Sequence, residues 1–127
     1  MSTEEKLNRI DRDFADKFAG DWIASWNAHD LDRVLSHYAD EFEMTSPVII
    51  QVTGESSGSL HGKKAVGDYW AKALQMIPDL HFEWIATLIG VDSIAISYRG
   101  AMGQPAIEVF HFGADRKVVR AFAHYGV

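Results

Sequence analysis

Leu80-His81-Phe82-Glu83-Trp84 is the stretch at which the apolar residues of the chain change their period from three or four to two. Side chains of a strand alternate between its two faces, so a period of two marks a half-buried strand. The alternation continues through Ile94, Ile96 and Tyr98, and again through Phe110 and Phe112. Between these runs lie Gly90-Val91-Asp92, Gly100 to Gln104 and Gly113-Ala114-Asp115-Arg116, all short enough to reverse the chain directly. The spacing predicts that the last four strands form an antiparallel meander.

Upstream of Leu80 the period is helical. Leu7, Ile10, Phe14, Phe18, Trp22 and Trp26 recur every three or four residues, behind Ser2 and Glu5 at capping-box spacing. That is a long amphipathic helix ending near His29, with a bend expected at Gly20, which costs about 1 kcal/mol relative to alanine inside a helix. Asp30 can cap a short second helix whose inner face is Leu31, Val34, Leu35 and Tyr38. The chain then reads as extended through Phe42 to Pro47 and as a flexible loop from Gly54 to Ser59. A third helix runs from about Gly62 to Ile77, where Pro78 stops it.

Helices first and a sheet afterwards is the α+β pattern, with the helices covering one face of a twisted antiparallel sheet. We expect three helices on a strongly curved, mainly antiparallel sheet, shaped as a cone around one apolar pocket. The chain has four Trp, four Tyr and seven Phe to line such a space. The alternative is that the same rings simply pack a core.

With 127 residues, 47% of them apolar and 24% charged, residues 1–127 are expected to form a single globular domain. Eighteen acidic against twelve basic side chains give a net charge of −6, which disfavours nucleic acid as a partner. Cysteine is absent, so disulfides, thiolate catalysis and cysteine-ligated metals are excluded. The N-terminus has no apolar leader and no run of about 18 apolar residues follows. A cytoplasmic protein with no membrane partner is the expectation.

Gly54-Glu55-Ser56-Ser57-Gly58 matches the G-x-S-x-G pattern, but that motif needs a strand-to-helix elbow in a larger α/β sheet. The six histidines show no H-x-x-x-H or H-E-x-x-H spacing, so no metal site is read from them. Glu108 carries more information. It stands in Ile107-Glu108-Val109-Phe110-His111-Phe112, on the side of Phe110 and Phe112 by alternation. A carboxyl group among rings has its charged form disfavoured and can keep a proton to donate; a glutamate at a wet strand edge is the competing reading.

Trp22-Ile23-Ala24-Ser25-Trp26-Asn27-Ala28-His29-Asp30-Leu31-Asp32, Tyr38-Ala39-Asp40-Glu41, Thr45-Ser46-Pro47, Gly62 to Leu74 and Ile107 to Val119 together resemble the bacterial ketosteroid isomerases. These belong to the nuclear-transport-factor-2-like group, with the SnoaL-like polyketide cyclases. The resemblance is collinear from about Phe14 to Tyr125 and implies the fold more strongly than any activity. In the isomerases a tyrosine and a protonated aspartate form an oxyanion hole and a second aspartate is the base. On this chain the resemblance places the tyrosine at Trp22, the base at Ser46 and the oxyanion acid at Glu108. Tyr38 falls where a supporting tyrosine is often found, and Trp70 on another aromatic position.

A serine hydroxyl cannot take a carbon-bound proton near neutral pH without its own activating base, so ordinary ketosteroid isomerase activity is not expected. The cyclase acid and base positions fall near Glu108 and Ala123, with His124 on the opposite face by alternation. Arg99 has no aspartate pair beside it of the kind that epoxide hydrolases of this fold require. Two function classes therefore stay open, with a protein-interaction role as a third. One is a cofactor-independent isomerase, cyclase or dehydratase in which Glu108 is the catalytic acid. The other is non-catalytic binding of a small apolar or cyclic molecule. Trp22, Tyr38, Ser46, Trp70, Trp84 and Tyr98 are the expected ligand-binding residues, with Trp22, Tyr38 and Glu108 holding a ligand's carbonyl or hydroxyl. The resemblance also implies a homodimer paired through the outer sheet face, where alternation puts Val109 and Phe122.

Overall fold

The computed structural model describes residues 10–126, so the capping pair Ser2 and Glu5, and Leu7 with them, lie outside the described residues. Helix α1 (Arg12–Asn27) begins later than the apolar periodicity suggests, because the Asp11 carboxylate caps it, accepting the Phe14 N–H at 2.8 Å. The helix runs unbroken through Gly20, which lies under the Trp84 ring, 3.6 Å from where a Cβ would stand. It ends where His29 adopts a left-handed φ of 56°.

Asp30 caps α2 (Leu31–Leu35) by accepting the Arg33 N–H at 3.1 Å. Strand β1 (Tyr38–Thr45) follows, and then a helix that the expected extended segment and loop did not contain, α3 (Pro47–Thr53). The Ser46 hydroxyl accepts the Val48 N–H at 3.1 Å, Pro47 fills the first turn, and Gly54 closes the helix at a φ of 78°. Among the described residues four helices, one more than expected, therefore pack on the sheet. A short strand β2 (Ser59–His61) leads into α4 (Lys63–Met76), with Pro78 just beyond it.

The meander follows as β3 (Glu83–Ile89), β4 (Ser93–Arg99), β5 (Pro105–Phe112) and β6 (Val118–Tyr125). The sheet order is β2-β1-β6-β5-β4-β3, antiparallel throughout except where β1 runs parallel to β6. Register shifts in β1, β3 and β6 bend the strands, and the sheet is curved and unclosed. The predicted strand start at Leu80 is corrected to Glu83. Phe82 instead pairs with a side chain: its N–H donates to Asn27 Oδ1 at 2.7 Å and its carbonyl accepts from Asn27 Nδ2 at 3.0 Å.

One continuous core lies between helices and sheet, with Phe18, Trp22 and Trp26 of α1 facing Ile94, Ile96 and Tyr98 of β4 and Phe110 of β5. Asp21, on α1, ties the layers at one end. It accepts from Arg33 Nε at 3.0 Å and lies 2.7 Å from His37 Nε2, and the Arg33 bond holds its carboxyl below the usual range. Among the described residues no helix is long and apolar enough to cross a membrane.

Candidate functional site

Alternation along β5 turns Ala106, Glu108 and Phe110 inward. Glu108 stands opposite Ile96 on β4 and Ala123 on β6, so neither neighbouring strand offers it a polar partner directly across. Its side chain borders a cavity of about 550 Å³, walled largely by Trp22, Trp26, Tyr69, Trp70, Phe82 and Tyr98. Met44 of β1, residues at and after the end of α4, and residues of α3, the β4–β5 turn and the end of β6 complete the lining.

Glu108 is only 4% exposed, and burial pushes its carboxyl up to about 8. The Tyr98 hydroxyl opposes that shift by donating to Oε1, at 3.4 Å a long and weak bond. The acid is therefore mainly protonated at neutral pH and can donate a hydrogen bond or a proton.

Three phenols surround it. Ser46 beside Tyr69 and Tyr125, and Tyr98 beside Tyr125, work against the upward shift of those phenols. Burial lifts Tyr69 to about 12 and holds Tyr98 and Tyr125 above the ordinary tyrosine value, with the nearby Glu108 charge adding to each shift. All three stay protonated near neutral pH, so each has a hydroxyl proton to donate. Tyr125 stands at the rim, 39% exposed.

Of the residues expected from sequence, Trp22, Trp70, Tyr98 and Glu108 meet at the cavity. The other three stand elsewhere. Tyr38 is buried one layer behind the wall, where its hydroxyl accepts the Trp22 indole N–H at 3.0 Å. Trp22 thus shows the cavity its ring and not its donor, and the expected grip of Trp22 and Tyr38 on a ligand oxygen is replaced by their grip on each other. Ser46 is likewise buried outside the lining, its hydroxyl occupied in capping α3 and in contact with two tyrosines. Trp84 does not reach the cavity. It lies on the edge strand, 42% exposed, donates to Thr87 Oγ1 at 2.8 Å and covers Gly20, and the strand bulges immediately after it.

Tyr69 and Tyr125 were not anticipated. Val66, Tyr69 and Trp70 lie on one face of α4 by their spacing, and Tyr125 follows Ala121 and Ala123 in alternation. The register shift in β6 falls between Val118 and Arg120, and the pairing beyond it keeps Ala123 facing in beside Glu108 while His124 pairs with Ile107 on the outer face. The Arg99 guanidinium bonds the Gly103 carbonyl at 3.2 Å in the exposed β4–β5 turn. Among the described residues no Lys, Arg or His borders the cavity, and no three His, Asp or Glu groups gather to hold a metal ion.

Residues 19–121 match the model of the family described as SnoaL-like domain. No curated protein matches the sequence. A SnoaL-like protein of unknown function from Burkholderia thailandensis E264 is 66% identical, with a TM-score of 0.90 over 93% of this chain and 98% of that one. A protein of unknown function with cystatin-like fold from Methylobium petroleophilum PM1 is 16% identical, with a TM-score of 0.73 over 93% of this chain and 79% of that one. A SnoaL-like family structure from Agrobacterium tumefaciens C58 is 14% identical, with a TM-score of 0.71 over 89% of this chain and 97% of that one. At such identities the last two speak for the fold alone. The family model spans most of the sequence, the Burkholderia protein agrees with it along nearly the whole chain, and the curved sheet under four helices is the NTF2-like arrangement: the chain belongs to the SnoaL-like family.

Proposed function

We propose that this chain holds a small, mainly apolar, ring-containing molecule in its cavity and offers it a proton from Glu108. The observation that carries this reading is a buried carboxyl group, 4% exposed and the only one among the described lining residues, on the wall of a mainly apolar, ring-rich cavity of about 550 Å³. In the catalytic form of the proposal Glu108 is the sole proton carrier of a cofactor-independent isomerisation, cyclisation or dehydration, with Tyr98 and Tyr125 as hydrogen-bond donors to developing negative charge. Ordinary ketosteroid isomerase turnover is not expected, because Ser46 stands at the family's base position with its hydroxyl engaged as a helix cap.

A second reading, binding without turnover, is favoured by one observation. The other titratable side chains on the cavity wall are Tyr69, Tyr98 and Tyr125, all held protonated, so no second group is ready to accept a proton.

1-Indanone, a neutral ring ketone with exchangeable α-hydrogens, separates the two. At millimolar concentration it should shift the indole N–H resonances of Trp22, Trp26 and Trp70 and leave Trp84, outside the cavity, in place. Shifts confined to Trp84, or none, would refute the cavity reading. Uptake of deuterium from heavy water at the α-carbon, faster than with Glu108→Gln, supports proton transfer; binding with no acceleration supports the second reading.

A further inference from the structure

The polar groups of the cavity constrain the charge of what enters it. An anionic ligand would meet a carboxyl group with no Lys, Arg or His among the described lining residues to balance it. A neutral carbonyl compound can be held by hydrogen-bond donors alone, which the Tyr69, Tyr98 and Tyr125 hydroxyls can supply, so holding it does not call on an ionised Glu108. A carboxyl group buried against Ile96 and Ala123, with one 3.4 Å hydrogen bond, is poorly solvated. What gives such a group a use is a partner that takes up its charge.

We infer that the ligand of this cavity is an organic amine, bound as its ammonium ion against the Glu108 carboxylate and among the rings of Trp22, Trp26, Tyr69, Trp70, Phe82 and Tyr98. This rests on the reading of the cavity as a ligand site. Aromatic faces attract a cation through the ring quadrupole, and the attraction is stronger where water is excluded. When a neutral amine enters, its nitrogen takes the Glu108 proton: the carboxyl O–H bond breaks, an N–H bond forms, and an ion pair replaces two neutral groups with no change of net charge. The groups that face Glu108 do not compete. They are Tyr98 from β4, Tyr125 from β6, Tyr69 from α4, Tyr38 from β1 and the Trp22 ring from α1, none of them cationic. The net charge of −6 concentrates cations around the molecule as a whole.

The test compares phenyltrimethylammonium with its uncharged isostere tert-butylbenzene and with benzoate, by calorimetry and by the indole resonances. A permanent cation needs Glu108 ionised, and with its pKa at about 8 the dissociation constant should fall about ten-fold from pH 7 to pH 9 and level beyond. Glu108→Gln should bind the cation at least about ten-fold more weakly at pH 9, with a flat pH profile, and benzoate should not bind. tert-Butylbenzene binding as tightly as the cation at pH 9, or a flat profile in the unmodified protein, would overturn the inference. Binding of 1-indanone without binding of the ammonium ion would overturn it alone; failure of every probe would take the cavity reading down with it.

Discussion

Replacing Glu108 by glutamine should stabilise the protein, and the gain should grow with pH. Burial raises the Glu108 carboxyl from an ordinary 4.5 to about 8, so between these values the folded chain holds a proton that the unfolded chain releases. Stability contributed at this position is then greatest below pH 4.5 and is lost as pH rises, levelling above about 8. At pH 7 the loss is about 2.5 units at 1.36 kcal/mol each, or roughly 3 kcal/mol, an upper value because water in an open cavity solvates part of the charge. Glutamine keeps the shape, still accepts from Tyr98 and does not ionise. Thermal unfolding followed by circular dichroism at pH 5, 7 and 9 should show a melting-temperature gap between variant and parent that widens to about 10 °C at pH 7. Any constant offset from the amide drops out of the comparison between pH values. A gap independent of pH, or a parent chain more stable than the variant at pH 9, would show that Glu108 is not a poorly solvated acid and would refute the reasoning behind the site.

Two further outcomes follow from the same structure. Tyr38→Phe removes the acceptor of the buried Trp22 N–H and should lower stability in urea unfolding by about 1–3 kcal/mol; an unchanged midpoint would show that the bond contributes nothing. Pairing through the outer sheet face, which we propose from Val109 and Phe122 side by side with Ile107 at 43% exposure, predicts a dimer in sedimentation that Phe122→Lys converts to monomer; a parent chain that stays monomeric at high concentration would end that proposal.

The fold was legible wherever one face of an element is buried along its whole length. Ile94, Ile96 and Tyr98 alternate in sequence because they alternate between core and outer face, and β5 reads the same way. Leu80 and Phe82 mimic that pattern without being a strand, since Phe82 has its backbone partner in the Asn27 side chain, a tertiary bond that no local period encodes. In α3 the β-branched run Val48-Ile49-Ile50 disguises a helix, although Ser46-Pro47 at one end and Gly54 at the other carry the N-cap and C-cap residues that mark it. Strand β2, three residues long, is too short to show any period.

At the site, sequence placed side chains on faces but not the directions of their polar atoms. Trp22 lines the cavity as expected, yet its N–H turns to Tyr38, a matter of rotamer; Trp84 pairs with Tyr98 across β3 and β4, yet the edge strand carries it beyond the cavity. Glu108 alone was placed with its chemistry, because a carboxyl between apolar residues on an inward face has few ways to be satisfied. With the phenols holding their protons, Glu108 is the group among the described lining residues that titrates closest to neutral pH. Glutamine would fit the same space at less cost to stability. A carboxyl group that costs the fold up to roughly 3 kcal/mol at pH 7 is what the proposed role toward a ligand accounts for and packing alone does not.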